Sequence, residues 1–167
     1  MQFKLITYPN KILRNRAKKV TALELAKIKT LAQDYLNFMI KEDGIGLAAN
    51  QVGILERFLG AVTDAGPQIF INPTILTHGL KKVVFEEGCL SFPQVYGLVK
   101  RPAWIILRYT DINGKTKIKR FNKLTARVIQ HETDHLNGKL FIDKIFQYTK
   151  GEKLIEAWQT KAKDDEL

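Results

Sequence analysis

The chain has 167 residues, 45% of them hydrophobic, and carries a formal net charge of +10. A chain of this length can bury enough surface for one self-sufficient core, so we expect a single domain over residues 1–167. No apolar stretch is long enough to span a bilayer, and the opening residues lack the apolar region of a signal peptide. We therefore expect no membrane partner and a cytoplasmic protein, or an organelle-interior one if a presequence was removed.

The excess of basic residues favours anionic partners such as RNA. These residues are concentrated in three runs, at 11–19, 81–82 and 115–123. The runs lack the interleaved aromatic residues of an RNA-binding signature, so we expect no sequence-specific binding of nucleic acid.

The first predicted elements are a strand-like start and a helix. Thr21 to Glu24 have the form of a capping box, and apolar residues follow at helical spacing as far as Met39. This pattern predicts a helix of about five turns that ends near Glu42. The next segment, 44–51, carries two glycines and small residues, which suit a close backbone approach to another group.

Five β-rich runs follow and predict strands, at 58–62, 69–72, 83–86, 104–110 and 115–121. The last two flank Asn113 and Gly114, a dipeptide typical of the turn in a β-hairpin. Apolar spacing then predicts a helix over 124–136, with Gly138 placed to end it. A last amphipathic helix is predicted over 151–163, with Leu154, Ile155 and Trp158 on its buried face, and residues 164–167 are predicted to form a polar tail.

The helix predicted over 124–136 contains the sequence His131-Glu132-Thr133-Asp134-His135. Positions i and i+4 of a helix lie on the same face, so both imidazoles can bind one metal ion, with Glu132 within reach of its water. Such hydrolytic sites usually take three protein ligands. A third ligand is therefore expected elsewhere in the chain.

The search for the third ligand leaves two residues open. Phe141 stands where the extended metzincin pattern has a third histidine, which excludes that class of protease. Glu156 has a spacing that a gluzincin-type protease would allow. Cys89, the only cysteine, follows two acidic residues and Gly88, and a thiolate is a strong soft ligand. A lone cysteine is otherwise a small buried hydrophobe, and His78 is expected in a solvated loop.

Three segments together resemble the signature motifs of the peptide deformylase family. They are GIGLAANQ at 44–51, EGCLS at 87–91 and QHETDHLNG at 130–138, and the similarity extends over nearly the whole chain. The resemblance implies an α+β fold, with short, mostly antiparallel sheets around a central helix that carries the histidines, one earlier helix and a C-terminal helix. It implies an enzyme that removes the formyl group from the N-terminal formylmethionine of nascent polypeptides.

The resemblance also assigns roles to individual residues. It implies that Cys89, His131 and His135 hold a divalent metal, that Glu132 transfers the proton, and that Gln51 and the backbone of Leu90 stabilise the oxyanion. The residues implied in substrate binding are Ile45, Gly46, Gly88, Leu124 and Val128, with the ring of His131. The residues implied in supporting the site are Glu87, Arg101 and Asp134, with Arg101 paired with Glu87.

The identity of the metal and the partners follow from the resemblance only in outline. Ferrous iron is implied in the cell, but a Cys/His₂ site also accepts zinc, nickel or cobalt. The implied partners are formylmethionyl nascent peptides and, transiently, the ribosome, which the charge of +10 also favours; we expect a monomer. Asn50 and Tyr96 depart from the family pattern, which leaves the preference for residues after methionine open. A zinc peptidase that uses Glu156 and a non-catalytic metal-stabilised binding module remain as alternatives.

Overall fold

Two antiparallel sheets organise the computed structural model, which describes residues 2–164. The strands are Gly46–Ala48 (β1), Phe58–Thr63 (β2), Gly66–His78 (β3), Lys82–Cys89 (β4), Phe92–Pro102 (β5), Trp104–Thr110 (β6), Thr116–Asn122 (β7) and Ile145–Lys150 (β8). Five of them form one sheet in the order β1-β2-β3-β6-β7, and three form the other in the order β4-β5-β8. One edge of each sheet, β1 and β4, matters for the site described below.

Three α-helices accompany the sheets: Ala22–Lys41 (α1), Lys123–Leu136 (α2) and Glu152–Asp164 (α3). The predicted capping box opens α1, because the Glu24 carboxylate accepts a hydrogen bond from the Thr21 N–H at 2.6 Å and the Thr21 hydroxyl accepts one from the Glu24 N–H at 3.4 Å. Gly138 follows α2 with a φ of +71°, a conformation that suits glycine after a helix. None of the helices in the described part of the chain combines the length and apolar composition that crossing a bilayer requires.

The apolar residues form two cores. The larger core packs α1 and α2 against the five-stranded sheet, and its buried members include Tyr35, Phe58, Phe70, Phe121 and Ile129. The smaller core lies against the three-stranded sheet and includes Leu13, Phe92, Val95, Phe141 and Ile155, with Cys89 packed at its boundary. Helix α2 therefore belongs to one core, whereas the strand that ends at Cys89 belongs to the other.

The structure confirms the α+β class, the three helices and the hairpin of β6 and β7. Two expectations about these elements were wrong. Residues 2–7 form no strand, although the Ile6 and Tyr8 N–H groups donate to the carbonyls of Gln51 and Ser91. Leu154 is exposed on α3 and does not lie on its buried face.

Two other expectations lie outside what the structure tests. Of the predicted polar tail at 164–167, only Asp164 is among the described residues, as the last residue of α3. The extent of the domain, 1–167, stays a prediction.

Candidate active site

Three potential metal ligands meet where the two cores adjoin. The ligand atoms of Cys89, His131 and His135 all lie within 4.8 Å of one another. The strand β4 delivers Cys89 at its end, and successive turns of α2 deliver the two histidines on one face. Cys89 Sγ lies 3.2 Å from His135 Nε2.

The donor set fits a divalent metal ion. A tetrahedral ion with a metal–sulfur bond of about 2.3 Å and metal–nitrogen bonds of about 2.0 Å holds its ligand atoms roughly 3.5 Å apart. The three ligand atoms, which all lie within 4.8 Å of one another, are compatible with this spacing. His131 Nδ1 lies 3.1 Å from Glu87 Oε2, which leaves Nε2 for the ion and matches the common pairing of a ligating histidine with a carboxylate.

The two histidines differ in protonation. Burial lowers the pKa of His135 well below its ordinary value, so its ring is neutral, as a ligand must be. Burial also acts to lower the pKa of His131, but hydrogen bonds with Cys89 and Glu87 outweigh it and raise the pKa to about 10. Binding of a metal at His131 would therefore release a proton.

Glu132 is buried beside the histidines with one oxygen available. Among the described residues, its Oε2 has no hydrogen-bond partner. Burial raises the pKa of Glu132 to about 7. A Cβ atom built on Gly46 would collide with Glu132 Oε1 and would lie 2.6 Å from Val128 Cγ1, so only glycine lets the β1 backbone approach this carboxylate. The carboxylate is thus held between the helix and the first strand.

The side-chain amide of Gln51 lies next to Cys89. Its Oε1 accepts a hydrogen bond from the Ala48 N–H at 2.8 Å, which orients the NH₂ group toward Ser91 Oγ at 3.1 Å and Cys89 Sγ at 3.5 Å. Leu90 directly follows Cys89 and lines the same cleft. The site therefore has polar N–H groups close to the potential metal ligands.

These residues lie along a cleft of about 530 Å³. Every residue that the sequence suggested for substrate binding lines it, namely Ile45, Gly46, Gly88, Leu124 and Val128. Gln51, Cys89, Leu90, His131 and Glu132 line it as well, whereas His135 is fully buried beneath it. Phe85, Tyr96 and Arg127 also line the cleft, and Arg127 was not anticipated from the sequence.

The edges of both sheets face this cleft with unpaired backbone groups. Next to the β4–β5 ladder, the Ala103 N–H donates a hydrogen bond to the Lys81 carbonyl. Because hydrogen-bonded pairs alternate along an antiparallel ladder, Val83, Phe85 and Glu87 are the residues of β4 that exchange backbone hydrogen bonds with β5. The N–H and C=O groups of Gly88 and its alternate neighbours consequently point away from β5. In the other sheet, the Val62 N–H donates to the Ile45 carbonyl. The same alternation then directs the backbone N–H and C=O groups of the next residue, Gly46, away from β2.

Glu87 is the centre of a buried ion-pair network behind the site. Arg101 donates to both of its oxygens, at 2.7 and 2.9 Å, and also to Asp134 at 2.6 Å. Arg127 donates to Glu87 and to the carbonyl of Val83. Burial disfavours the charged form of Glu87, but hydrogen bonds with His131 and Arg101 outweigh it and hold the pKa well below its usual range. Glu87 is therefore an anion that fixes the ring of His131.

Two contacts in this region were not identified from the sequence. Arg127 looks like an ordinary polar position on a helix, and only the partner strands reveal that its guanidinium is buried. Asn50 donates to the carbonyl of His135 at 2.7 Å, which ties the end of α2 to the segment before Gln51. The one available signal for Arg127 was a polar residue within an apolar helical pattern. For Asn50 it was a polar residue within a run of small residues.

The residues on which the peptidase alternative depends lie elsewhere. Over residues 2–164, the group of side chains that could hold a metal comprises Cys89, His131 and His135, and Glu156 is not in it. Glu156 is exposed on α3. His78 is also exposed, at the end of β3 and not in a loop. Neither supplies a third ligand to the histidine pair.

Comparisons with known proteins agree on one family. The polypeptide deformylase family matches residues 2–151. A peptide deformylase of Rhizobium meliloti is 44% identical over 146 residues, which is 84% of this chain and 83% of that protein. The crystallised peptide deformylase of Plasmodium falciparum superposes with a TM-score of 0.85 at 37% identity, over 96% of both chains. That of Thermotoga maritima gives 0.82 at 39% identity, over 87% of this chain and 98% of that one.

Proposed function

This chain belongs to the polypeptide deformylase family, and from that premise we propose how its own residues perform the reaction. It is a hydrolase that removes the formyl group from the N-terminal formylmethionine of nascent polypeptides, and the family depends on a metal. The observation that carries the proposal is the meeting of the Cys89, His131 and His135 donor atoms within 4.8 Å, beside a carboxylate oxygen without a partner.

The metal would be held by Cys89 Sγ and by the Nε2 atoms of His131 and His135. When bound, a divalent ion supplies Lewis acidity, which lowers the pKa of a coordinated water to about 7 and polarises a carbonyl oxygen. We propose ferrous iron as the ion used in the cell, with zinc, nickel or cobalt able to replace it. The soft thiolate and two imidazoles are compatible with all four.

Glu132 would move the proton. Its free oxygen accepts a proton from the attacking water as the new C–O bond forms at the formyl carbon. As the C–N bond breaks, Glu132 gives this proton to the departing amine, and formate leaves. Burial raises the pKa of Glu132 above that of a free carboxyl, which favours return of the proton to the departing amine.

Gln51 and Leu90 would stabilise the oxyanion. The formyl oxygen gains negative charge when the carbon becomes tetrahedral, and the Nε2 group of Gln51 and the backbone N–H of Leu90 can donate to it. The hydrogen bond from the Ala48 N–H supports this role, because it fixes the amide before substrate arrives. Preorganised donors of this kind act without further rearrangement.

The substrate would bind as an extended strand between the two sheet edges. The free backbone groups of Gly46 and Gly88 can pair with it, which makes binding tolerant of sequence beyond the first residue. Ile45, Leu124 and Val128, with the ring of His131, would surround the methionine side chain. Glu87 would orient His131, and Arg101 and Asp134 would hold Glu87 in place.

The direct test is formate release from a short formylmethionyl peptide, measured anaerobically with ferrous iron. We expect the parent protein to be active and the Gln51→Glu variant to have a kcat lower by ~10²–10³, because the donor is lost. This substitution keeps an oxygen acceptor for the Ala48 N–H, so the local fold is preserved. An inactive parent would refute the function, and an unimpaired, metal-loaded Gln51→Glu protein would refute the oxyanion role.

We also propose that the protein is a cytoplasmic monomer that associates transiently with the ribosome. The net charge of +10 supports attraction to ribosomal RNA. We expect co-sedimentation with ribosomes at low salt that is lost as salt rises, because phosphate contacts release counterions. Binding that is absent, or that does not change with salt, would contradict this proposal.

A further inference from the structure

The strand β4 continues past the cleft by three residues, Val84 to Lys82, as an open edge. It pairs with β5 on one side, and among the described strands none pairs with the other. Three consecutive apolar residues on this strand are exposed: Val83 by 40%, Val84 by 44% and Phe85 by 54%. A long edge strand with exposed apolar residues is unusual in a monomer unless another chain pairs with it.

The backbone of this edge is free in a regular pattern. Alternation along the ladder directs the N–H and C=O groups of Val84, Glu86 and Gly88 away from β5. Gly88 is the residue to which the deformylase substrate would pair. Val84 presents the same two groups about 14 Å further along the same edge, at ~3.4 Å per residue.

The direction of the substrate follows from the position of the metal ligands. Cys89 ends β4, so the formyl group must lie at that end of the strand. The cleft extends along β4 from Cys89 back to Phe85. A peptide with its N-terminal formyl group at Cys89 that follows β4 toward Phe85 and Val84 therefore runs antiparallel to this strand, whose free groups continue beyond the cleft.

The side chains along this path favour an apolar peptide. Phe85 is held in place by the guanidinium of Arg127, 5.5 Å from its ring centroid, and Val84 lies on the opposite face of the strand. The side chains of an added strand would lie beside Phe85 on one face of the sheet and beside Val84 on the other. Lys82 stands beyond Val84, where the exposed edge becomes basic.

We propose that the nascent chain adds as a strand to the whole exposed edge of β4, so that residues four to eight of the substrate pair with Glu86 to Lys82. Apolar residues are preferred there. The inference rests on the deformylase function and extends the binding site from the formylmethionine to an extended apolar segment of the same substrate.

The test compares formylated peptides of three and of eight residues, with the five added residues either valine-rich or asparagine-rich. We expect KM to fall about five- to tenfold on lengthening with valine-rich sequence, less with asparagine-rich sequence, and kcat to stay constant, since the added hydrogen bonds form equally in ground and transition states. Formate release from the three-residue peptide tests the function itself. A KM that is independent of length overturns only the extended site.

Val84→Pro probes the edge directly. Proline removes the N–H that points away from β5 and spares the β4–β5 ladder, so the advantage of the long peptide should disappear. Val84→Thr, which keeps the backbone and branching, should retain the length effect and lose part of the preference for valine-rich peptides.

Ile118→Pro is the matched control. Ile118 is 64% exposed on the edge strand β7, and alternation from the bond between the Lys123 N–H and the Ala103 carbonyl also directs its N–H outward. We expect it to keep the length effect. Loss of the effect in Ile118→Pro, its survival in Val84→Pro, or a β4-dependent dimer by sedimentation velocity at assay concentration would each overturn the proposal.

Discussion

The Glu132→Gln protein should release formate about 10³-fold more slowly than the parent, within the 10²–10⁴ that general acid–base catalysis contributes. Glutamine has the same shape but cannot accept the proton of the attacking water. Its metal content and thermal stability should match those of the parent, because Glu132 is not among the potential ligands and a buried amide carries no charge. The measurement is kcat for a short formylmethionyl peptide at equal metal loading.

Glu156→Gln is the control for this experiment. It changes the same residue type on an exposed face of α3, and it is the residue on which a zinc peptidase would depend. We expect normal formate release from it. Substantial activity in Glu132→Gln, or a requirement for Glu156, would refute the proposed proton transfer.

The Cys89→Ala protein should lose its metal, and with it nearly all activity. Two histidines alone hold a hydrolytic metal weakly, and changing even a residue behind a ligand costs ~10–100-fold in metal affinity, so loss of the ligand itself should cost more. The checks are metal content per chain after gel filtration and formate release with excess ferrous iron.

Cys89→Asp separates ligand chemistry from packing. Aspartate offers an oxygen ligand of similar reach, so this variant should retain more metal than Cys89→Ala although it places a carboxylate against the smaller core. Equal, undiminished metal content in the parent and in Cys89→Ala would show that Cys89 is not a ligand.

Local signals explain which parts of the fold could be predicted. The capping box at Thr21, the helical spacing before Gly138 and the Asn113-Gly114 turn each act over a few residues, and the structure confirms the elements they indicate. The strands β1, β5 and β8 were not predicted as such. β1 has only three residues, and β8 pairs with β5, a segment distant in sequence, which no local pattern records. β5 forms a hairpin with the neighbouring β4, but Pro93 and Gly97 interrupt its strand pattern.

The candidate site could likewise be predicted only in part. The helical spacing indicated the two histidines and the family resemblance implied Cys89, and the structure shows Cys89 beside His131 and His135, although their roles stay predictions. The sequence could not indicate that Arg127 and Arg101 both donate hydrogen bonds to Glu87, because burial of a guanidinium depends on strands that pass over it. The exposed edge at Val84 was equally hidden, since a run of apolar residues in a strand normally predicts burial.

The division of the donors between two cores bears on how the protein unfolds. Cys89 packs at the boundary of the smaller core, whereas the helix of His131 and His135 packs in the larger one. An ion bound to all three cross-links the cores, and it is released when either one opens. Metal binding therefore adds its free energy to both cores at once, and makes them melt as one cooperative unit.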